Sequence, residues 1–241
     1  MPEHLIGRLE RHGVLTGDEK EVLRQITSRV KAFDARQDIV PEGSTPTEST
    51  LILEGFACRH KHLRNGRRQI TAFHIAGDFA DLHGFLLKKM DDGVGALTPC
   101  KVALVPHSDL RVITRNYPYL TRLLWLSTLI DGAIHREWMT GIGRQPARER
   151  VAHLLCELAV RLEAVGLVKE NGFELPITQA ELSDATGLSY VHVNRMLMEL
   201  RKDGLITSNG NRVVINDVGR LRQAAQFDPE YLHVRQQIER D

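Results

Sequence analysis

Ile177–Ile206 has the sequence ITQAELSDATGLSYVHVNRMLMELRKDGLI, and its spacing of capping, small and apolar residues predicts two short helices that meet at a tight corner. Thr178 and Glu181 form a T-x-x-E capping box, which can satisfy two amide donors at the start of the first helix. Gly187 suits the corner because glycine tolerates a positive φ, and Ser189 is a good N-cap for the second helix. The segment therefore predicts a helix-turn-helix.

The second of these helices is predicted to bury one side and expose the other. Its apolar residues recur at helical spacing and form the predicted buried stripe. They are Val193, Met196, Leu197 and Leu200. The N-terminal end of the other side would enter the major groove of DNA, where Arg195 can contact guanine and Asn194 can contact adenine. The residues that we expect to contact DNA are Thr178, Gln179, Ser189, Tyr190, Val191, His192, Asn194, Arg195, Asn209 and Asn211.

A β-hairpin is predicted directly after the second helix. Leu205–Ile215 has two β-prone runs around Asn209 and Gly210, a pair that is typical of a type I′ turn. A helix-turn-helix followed by such a hairpin is a winged helix. Residues 186–222 contain six basic and three acidic side chains, a modest excess of +3. Because affinity for DNA grows with the number of phosphates neutralised, we expect one copy to bind weakly and two copies to bind a palindrome together.

The composition is that of an ordinary globular protein, and it limits the remaining function classes. The 241 residues carry 32 Lys and Arg against 31 Asp and Glu, for a formal net charge of +1, and 42% of them are hydrophobic. That length is sufficient for two domains. No apolar run is long enough to span a membrane, and the first residues do not resemble a secretory signal. The three cysteines, Cys58, Cys100 and Cys156, are far apart. We therefore expect a cytoplasmic protein with no membrane partner.

The region before the helix-turn-helix changes from β to helical periodicity. A capping box at Thr16 and Glu19 predicts a short helix over residues 16–27, and short strands with Gly, Pro and Asn between them predict an antiparallel β-roll over residues 33–107. Asn116–Thr140 is predicted to be one long helix. The fold class is therefore α+β. The predicted domains are a sensory β-roll (residues 1–114), a dimerisation helix with a hinge (115–145), the winged helix (146–225) and a charged tail (226–241).

Part of the apolar surface of the long helix is predicted to pair two copies of the chain. The expected dimerisation residues are Leu123, Leu126, Ile130, Ala133 and Ile134. Several of them follow coiled-coil-like intervals. The alternative is that the whole surface belongs to the core of one chain. Gly141 and Gly143 are predicted to break the helix, so that residues 141–145 form a hinge before a new helix at Pro146.

The order of β-roll, long helix and winged helix resembles the CRP/FNR family of bacterial transcription regulators over about residues 16–215. The most specific marks are the LEG sequence of Leu53–Gly55, the AGDF sequence of Ala76–Phe79 and the Gly187 corner with Arg195 after it. This resemblance implies a homodimer that binds a palindromic operator and contacts RNA polymerase. It also implies that the roll senses a signal and that Arg195 is the main base-reading residue.

The sequence departs from the family at the positions that hold cyclic nucleotides. Members that bind them carry a Glu after the GDF sequence and then an Arg-Ser pair, whereas this chain has Leu82 at the Glu position and LKKMDDGVGAL in the Arg-Ser region. Asp91 and Asp92 would repel a phosphate. We therefore expect no cAMP binding in the usual mode, although Lys88 or Lys89 could substitute. No cofactor is predicted, and the effector is unknown.

Two further departures concern iron and DNA. Oxygen-sensing members hold an iron-sulfur cluster with N-terminal cysteines, and this chain has none before Cys58. Many members also carry a Glu where this chain has Val191. Since an apolar side chain can contact only a thymine methyl group in the major groove, we expect an operator that differs from the commonest one in the family.

Cys58, His60 and His62 alternate along one predicted strand and so share a face. With a turn at Asn65 and Gly66, paired residue numbers sum to 131, which pairs Cys58 with Phe73, His60 with Thr71 and His62 with Gln69. A thiolate and two imidazoles outline a metal or haem site. The alternative is a partly buried strand with a polar tip, and we predict no metal. His74 falls on the other face, and Cys100 and Cys156 suit the core.

Two function classes other than a DNA-binding regulator can be compared with the sequence, an enzyme and a protein-binding adaptor. An enzyme is not expected, because neither a Ser-His-Asp set, a Walker loop, an H-E-x-x-H motif nor a G-x-G-x-x-G motif after a strand occurs. A protein-binding adaptor on the same fold is the alternative to a DNA-binding regulator, and the near-neutral charge keeps this alternative open.

Overall fold

The computed structural model describes residues 2–234 and 236–240. The chain divides into two compact units, one that runs to Gly132 and takes in the residues from His233 onward, and one that comprises Ala133–Leu232. The boundary falls within a long helix. Each unit is described by itself below.

The first unit contains two antiparallel sheets. Two helices precede the strands in sequence, one short helix lies between β5 and β6, and two helices follow the last strand. Its strands are β1 (Val30–Phe33), β2 (Asp38–Val40), β3 (Glu48–Glu54), β4 (Ala57–His62), β5 (Arg68–His74), β6 (Gly93–Ala96) and β7 (Cys100–Pro106). Its helices are α1 (Glu3–Glu10), α2 (Gly17–Ile26), α3 (Gly84–Leu87), α4 (His107–Asn116) and the first part of α5 (Pro118–Arg144). One sheet has the order β1-β7-β3, the other has the order β2-β6-β4-β5, and all the pairings are antiparallel. The predicted α+β class with an antiparallel β-roll is confirmed.

Two clusters of buried apolar residues hold this unit together. One cluster includes Ile52 of β3, Val94 of β6 and Val102 of β7, so it fills the space between the two sheets. The other includes Leu9 of α1 and Leu123 of α5, where the helices cover the outer side of β3 and β7. Burial of these side chains is the main source of stability for both layers.

The helices around the roll differ in part from the prediction. The capping box of Thr16 and Glu19 is formed and starts α2, as predicted. Helix α5 continues through Gly141 and Gly143 to Arg144, so the prediction that these glycines break the helix was wrong. A glycine inside a helix costs only about 1 kcal/mol relative to alanine, which tertiary packing readily offsets. Pro146 is the N-cap of α6 (Ala147–Ala164), and the connection between the helices is therefore only Gln145 and Pro146.

The second unit is a winged helix. After α6 it contains β8 (Gly172–Glu174), α7 (Gln179–Thr186), α8 (Tyr190–Lys202), β9 (Ile206–Asn209), β10 (Arg212–Ile215) and α9 (Val218–Ala224). A 3₁₀ turn follows at Pro229–Leu232. The wing is a three-stranded antiparallel sheet of order β8-β10-β9, and its first strand was not expected from the sequence.

The hairpin of β4 and β5 has a different register from the predicted one. Cys58 pairs with Phe73, as predicted, but His60 pairs with Ile70 and His62 pairs with Arg68. The register shifts between Arg59 and His60, where a β-bulge adds one residue to β5. Sequence patterns do not reveal a bulge of this kind.

The wing hairpin lies where it was predicted, with a different turn. Asn209 pairs with Arg212, so the two loop residues are Gly210 and Asn211 rather than Asn209 and Gly210. Gly210 has a φ of 57°. Glycine at the first loop position is typical of a type II′ turn, whereas the prediction was type I′.

The described part of the C-terminal tail packs on the helices of the first unit. The amide of Ile238 donates to the carbonyl of His12 at 2.7 Å, and the hydroxyl of Tyr119 donates to the carbonyl of Ile238 at 3.0 Å. Arg240 forms an ion pair with Glu19. In the described part of the chain, no helix combines the length and the hydropathy that a membrane crossing requires.

Candidate nucleic-acid interface

Helix α8 is fixed by its apolar stripe and presents its other side to solvent. Val193, Met196, Leu197 and Leu200 are buried, as the sequence predicted. On the opposite side, Tyr190 is 55% exposed and Val191 is 76% exposed. Exposed aromatic and aliphatic side chains at a helix start contribute nothing to the core, and they are suited to contact another molecule.

The corner before α8 is built by local hydrogen bonds. Gly187 has a φ of 67° at the end of α7, and the hydroxyl of Ser183 donates to the carbonyl of Leu188 at 2.5 Å. The side chain of Ser189 accepts from the amide of His192 at 3.3 Å and so caps α8. These bonds set the angle at which α8 projects.

Thr178 is committed to the start of α7. Its hydroxyl accepts from the amide of Glu181 at 3.2 Å and donates to the carboxylate of Glu181 at 2.9 Å. The predicted DNA contact of Thr178 would therefore have to share a hydroxyl that already serves the capping box.

Arg195 is an exposed cation on the solvent-facing side of α8. Its side chain is 64% exposed, and its Nε lies 4.0 Å from the carboxylate of Glu199, one turn later. An exposed ion pair at that distance stabilises the chain by at most about 0.5 kcal/mol. The guanidinium can therefore leave Glu199 for a base or a phosphate at little cost.

Asn194 is held from the neighbouring helix. Its Nδ2 donates to Oε1 of Gln179, the first residue of α7, at 2.9 Å. The bond leaves the Asn194 carbonyl oxygen and the Gln179 amide group for another partner. The structure thus brings together two residues that the sequence predicted separately as DNA contacts.

The wing lies beside α8 and carries the last two predicted contact residues. Asn209 and Asn211 are both exposed at its tip. Nε of Arg201 in α8 donates to the hydroxyl of Ser208 in β9 at 2.8 Å, which fixes the wing to the helix. Arg201 was not identified from the sequence, because no local sequence pattern predicts a hydrogen bond between a basic residue at a helix end and a strand of the wing.

Arg150 joins the helix-turn-helix to the helix connection before α6. Its guanidinium donates to the carbonyl of Thr186, at the end of α7, at 2.5 Å and to the carbonyl of Gln145 at 2.9 Å. Both carbonyls belong to helix ends, where backbone acceptors otherwise lack a partner. Arg150 therefore positions α7, although it was not singled out from the sequence.

A buried carboxylate in α6 accepts hydrogen bonds from side chains near both ends of the second unit. Glu157 is fully buried, and its Oε2 accepts from the indole nitrogen of Trp138 at 2.8 Å and from the hydroxyl of Tyr231 at 3.0 Å. Its Oε1 accepts from Arg161 at 3.0 Å. His153 stacks on Tyr231, and burial lowers the pKa of His153. This network connects the end of α5, the middle of α6 and the 3₁₀ turn.

The five predicted dimerisation residues lie in the interior of the chain. Leu123, Leu126, Ile130, Ala133 and Ile134 are all buried without any second copy. The exposed large apolar side chains on the same part of α5 are instead Trp125, at 65%, and Leu129, at 54%. The spacing of apolar residues shows which residues share a side of the helix, but it does not show which side packs against the rest of the chain. The predicted dimerisation residues and the exposed apolar residues therefore lie on different sides of α5.

Cys58, His60 and His62 lie near one another on β4, as predicted. Sγ of Cys58 is 3.9 Å from Nδ1 of His60, and the rings of His60 and His62 meet edge to face at 4.8 Å between centroids. Burial lowers the pKa of His60, and the nearby His62 and Arg68 lower it further. Cys58 and His60 are buried while His62 is exposed. The prediction of no metal here, and the alternative of a metal or haem site at Cys58, His60 and His62, both stay untested.

A group of charged and ionisable residues surrounds Arg59 in the first unit. Arg59 is buried on β4, and its Nη2 donates to the carboxylate of Asp131 in α5 at 2.6 Å. Its Nη1 lies 3.3 Å from Nδ1 of His83, and its Nε lies 3.7 Å from Asp92. Burial raises the pKa of Asp92 to about 6, and the negative charges of Asp91 and Asp131 add to this effect.

His83, Asp91 and Asp92 also form a group that could in principle hold a cation. Their ligand atoms lie within 4.8 Å of one another, the one such group of three among residues 2–234 and 236–240. The guanidinium of Arg59, however, already provides a positive charge beside His83 and Asp92. Because an arginine N–H directed at Nδ1 requires a lone pair there, the other ring nitrogen of neutral His83 carries the proton and is a poor metal ligand.

Comparison with known proteins gives the family. Residues 149–224 match the model of the Crp-like helix-turn-helix domain, and residues 30–117 match that of the cyclic nucleotide-binding domain. Transcriptional activator protein FnrL of Cereibacter sphaeroides is 30% identical over 217 residues, which cover 88% of this chain and 86% of that protein. The chain belongs to the CRP/FNR family of transcription regulators.

Other relatives agree with this assignment. A probable transcriptional activator of Rhizobium leguminosarum bv. viciae is 30% identical over 217 residues, which cover 88% of this chain and 89% of that protein. The solved structure of FixK2 from Bradyrhizobium japonicum is similar with a TM-score of 0.73 and 26% identity over 81% of this chain and 96% of that one. This CRP/FNR regulator is thus a DNA-binding transcription regulator, as predicted.

Proposed function

We propose that this CRP/FNR regulator binds a palindromic operator as a homodimer and reads each half-site with the exposed side of α8. The observation that carries the proposal is the arrangement of Arg195, Asn194 and Gln179. Arg195 is exposed with only a distant ion pair, and Asn194 is oriented by Gln179. Arginine and asparagine are the side chains that bind guanine and adenine edges in bidentate fashion.

The neighbouring residues define the rest of the interface. Tyr190 and Val191 are exposed at the start of α8, where a thymine methyl group is a suitable partner for Val191. Ser189 and His192 flank them as supporting contacts. Thr178 and the wing residues Asn209 and Asn211 would contact the phosphate backbone, which sets the orientation of a protein on DNA but carries no sequence information.

The dimer contact that we propose runs along α5 through Trp125 and Leu129. These side chains are exposed, large and apolar, and they lie one helical turn apart. The contact replaces the one proposed from the sequence, whose residues are buried in the chain itself. Two copies double the number of phosphate contacts, which compensates for the modest local charge.

The signal is proposed to be something other than cAMP. Leu82 provides no ribose contact, and the cation nearest to the predicted phosphate region, Arg59, is paired with Asp131 and lies beside Asp92. Lys88 and Lys89 are exposed. The carboxylate of Asp92 beside Arg59 would repel a cyclic phosphate, which disfavours its binding there.

RNA polymerase is the proposed protein partner. The relatives from Cereibacter sphaeroides and Rhizobium leguminosarum are named a transcriptional activator and a probable transcriptional activator. We infer this partner for the chain from the family to which it belongs.

A gel shift with a genomic promoter fragment tests the proposal. Binding should weaken steeply as salt rises, since phosphate contacts release counterions. Replacement of Trp125 and Leu129 by serine should abolish the dimer in analytical ultracentrifugation and reduce the affinity for DNA. The same two substitutions at the exposed Leu63 and Val112, which lie outside α5, should leave both unchanged. A monomeric wild-type protein with full DNA affinity would refute the dimer.

A further inference from the structure

A large apolar cleft lies among the helices of the first unit, outside the strands of the roll. Its volume is about 450 Å³. It is lined by five residues between Leu82 and Leu87, around α3, by Leu110, Ile113 and Thr114 of α4, and by four residues of α5 between Thr121 and Thr128. Its floor includes Leu110, Ile113 and Leu124, which are buried, and its rim includes the exposed side chains of Leu86 and Leu87. A cleft of this size falls within the range of small-molecule sites.

The polar groups of the lining are few and mostly occupied. The hydroxyl of Thr114 donates to the carbonyl of Arg111 at 3.0 Å, and that of Thr128 donates to Leu124 at 3.2 Å. The hydroxyl of Thr121 donates to the carbonyls of Tyr117 and Ile113. The lining residues that the structure describes include no charged side chain. A charged ligand would therefore lose its hydration without compensation.

His83 is the exception among these polar groups. Nη1 of Arg59 lies 3.3 Å from Nδ1, and arginine only donates, so the proton of neutral His83 sits on Nε2. Burial and the charge of Arg59 lower the pKa of His83, which keeps the ring neutral. The nearest carboxylate oxygen to Nε2, on Asp92, is 3.9 Å away, beyond hydrogen-bond distance. His83 thus lines the cleft with an N–H that has no hydrogen-bond partner at these distances among the described residues.

We propose that this cleft binds an uncharged, mainly hydrophobic small molecule that carries one hydrogen-bond acceptor, which receives the N–H of His83. The site is separate from the DNA-binding unit and does not depend on the function proposed for α8. It contacts α5 through Leu124, Trp125 and Thr128, and Trp125 is also one of the two residues of the proposed dimer contact, so the occupant lies beside that contact. A second copy that fills the cleft instead is the competing occupant.

The uncharged fluorescent probe N-phenyl-1-naphthylamine tests the site in the full-length protein without DNA. It should bind saturably with one molecule per chain. The double substitution Leu86→Ser with Leu87→Ser, and separately Thr114→Trp, should weaken its binding at least tenfold. Val112→Ser is the matched control, because Val112 is exposed on α4 but does not line the cleft. The substituted residues are all exposed, which favours a folded product.

Competition by 1-indanone and by indane tests the hydrogen bond. The two molecules have the same rings, and only indanone has a carbonyl acceptor. Indanone should displace the probe from the wild type at a lower concentration than indane does. The substitution His83→Phe should reduce the affinity for indanone about fivefold, to that for indane, because one neutral hydrogen bond is lost.

Three results would overturn the proposal. They are the absence of saturable probe binding, equal binding by the double serine variant and the wild type, and binding that occurs only where dilution has separated the dimer. The last of these would assign the cleft to the second copy. A gel shift with the same preparation reports DNA binding independently, so failure of the cleft proposal is distinguishable from failure of the proposed function.

Discussion

Asn194 of α8 and Gln179 of α7 are joined by a hydrogen bond of 2.9 Å between Nδ2 of Asn194 and Oε1 of Gln179. The bond fixes which way the Asn194 amide faces and so which of its atoms can meet a base. A side chain that is oriented before it binds loses less conformational entropy on binding. The hydrogen bond thus connects the first helix of the helix-turn-helix to a side chain of the second helix that we expect to contact a base.

Gln179→Ala should weaken binding to the operator about fivefold, the equivalent of one hydrogen bond of about 1 kcal/mol. Fluorescence anisotropy with a labelled operator duplex measures the change. Met198→Ala, an exposed substitution on α8, is the control and should have no effect. Equal affinities for Gln179→Ala and the wild type would contradict a positioning role for Gln179.

Arg150→Met should destabilise the second unit by about 2–3 kcal/mol, because two helix-end carbonyls lose a charged donor. Urea unfolding followed by circular dichroism measures the change. Arg148→Met provides the control, since the ion pair of Arg148 with Asp203 is largely exposed and should stabilise by at most about 1 kcal/mol. Similar losses for both variants would show that the position of Arg150 between two helix ends has no special effect.

Glu157→Ala should cost about 3–5 kcal/mol, since it leaves Trp138, Tyr231 and Arg161 without their buried acceptor. Tyr231→Phe removes one donor to Glu157 and the hydroxyl 3.0 Å from Nε2 of His153, and it should cost about 1–2 kcal/mol. Glu163→Ala, at an exposed position of the same helix, should be neutral. The free energies come from urea unfolding, and a neutral Glu157→Ala would contradict the network.

Asp81 should make the first unit less stable as the pH rises. It is fully buried, and burial raises its pKa from 3.8 to about 7, although the amide of Thr50 donates to it. Between these two values the folded chain holds a proton on Asp81 that the unfolded chain has lost, so the contribution of Asp81 to stability is greatest below about pH 4 and falls toward pH 7. Each unit of the pKa shift corresponds to about 1.4 kcal/mol.

Asp81→Asn keeps an acceptor for Thr50 but cannot ionise. The free energy of unfolding should therefore fall less between pH 5 and pH 7 in this variant than in the wild type. Urea unfolding at the two pH values measures the difference. Parallel pH profiles for the two proteins would show that Asp81 does not titrate in this range.

Local signals in the sequence predicted most of the winged helix. The capping box at Thr178, the corner at Gly187 and the cap at Ser189 all depend on residues within a few positions of one another. Their physical basis is hydrogen bonding to nearby backbone amides, so it is visible without tertiary structure. The same holds for the capping box at Thr16.

The parts that the sequence did not predict depend on contacts between distant residues. Arg59 and Asp131 are 72 positions apart, and Tyr231 reaches Glu157 across 74 positions. The burial of Leu126 and Ile130 likewise depends on which side of α5 meets the chain, and the apolar period alone does not contain that information. The bulge in β5 has the same origin, because it is defined only by its partner strand.

The central claim is that α8 reads both halves of a palindrome, with Arg195 as its main base contact. Selection of bound duplexes from a random pool, followed by sequencing, tests it most directly when the wild type and Arg195→Ala are run side by side. The account predicts an inverted repeat for the wild type. For the variant it predicts the same repeat, bound about 1–3 kcal/mol more weakly and with preference lost at one base pair of each half-site. A wild-type selection without an inverted repeat, or an identical base preference in the variant, would contradict it.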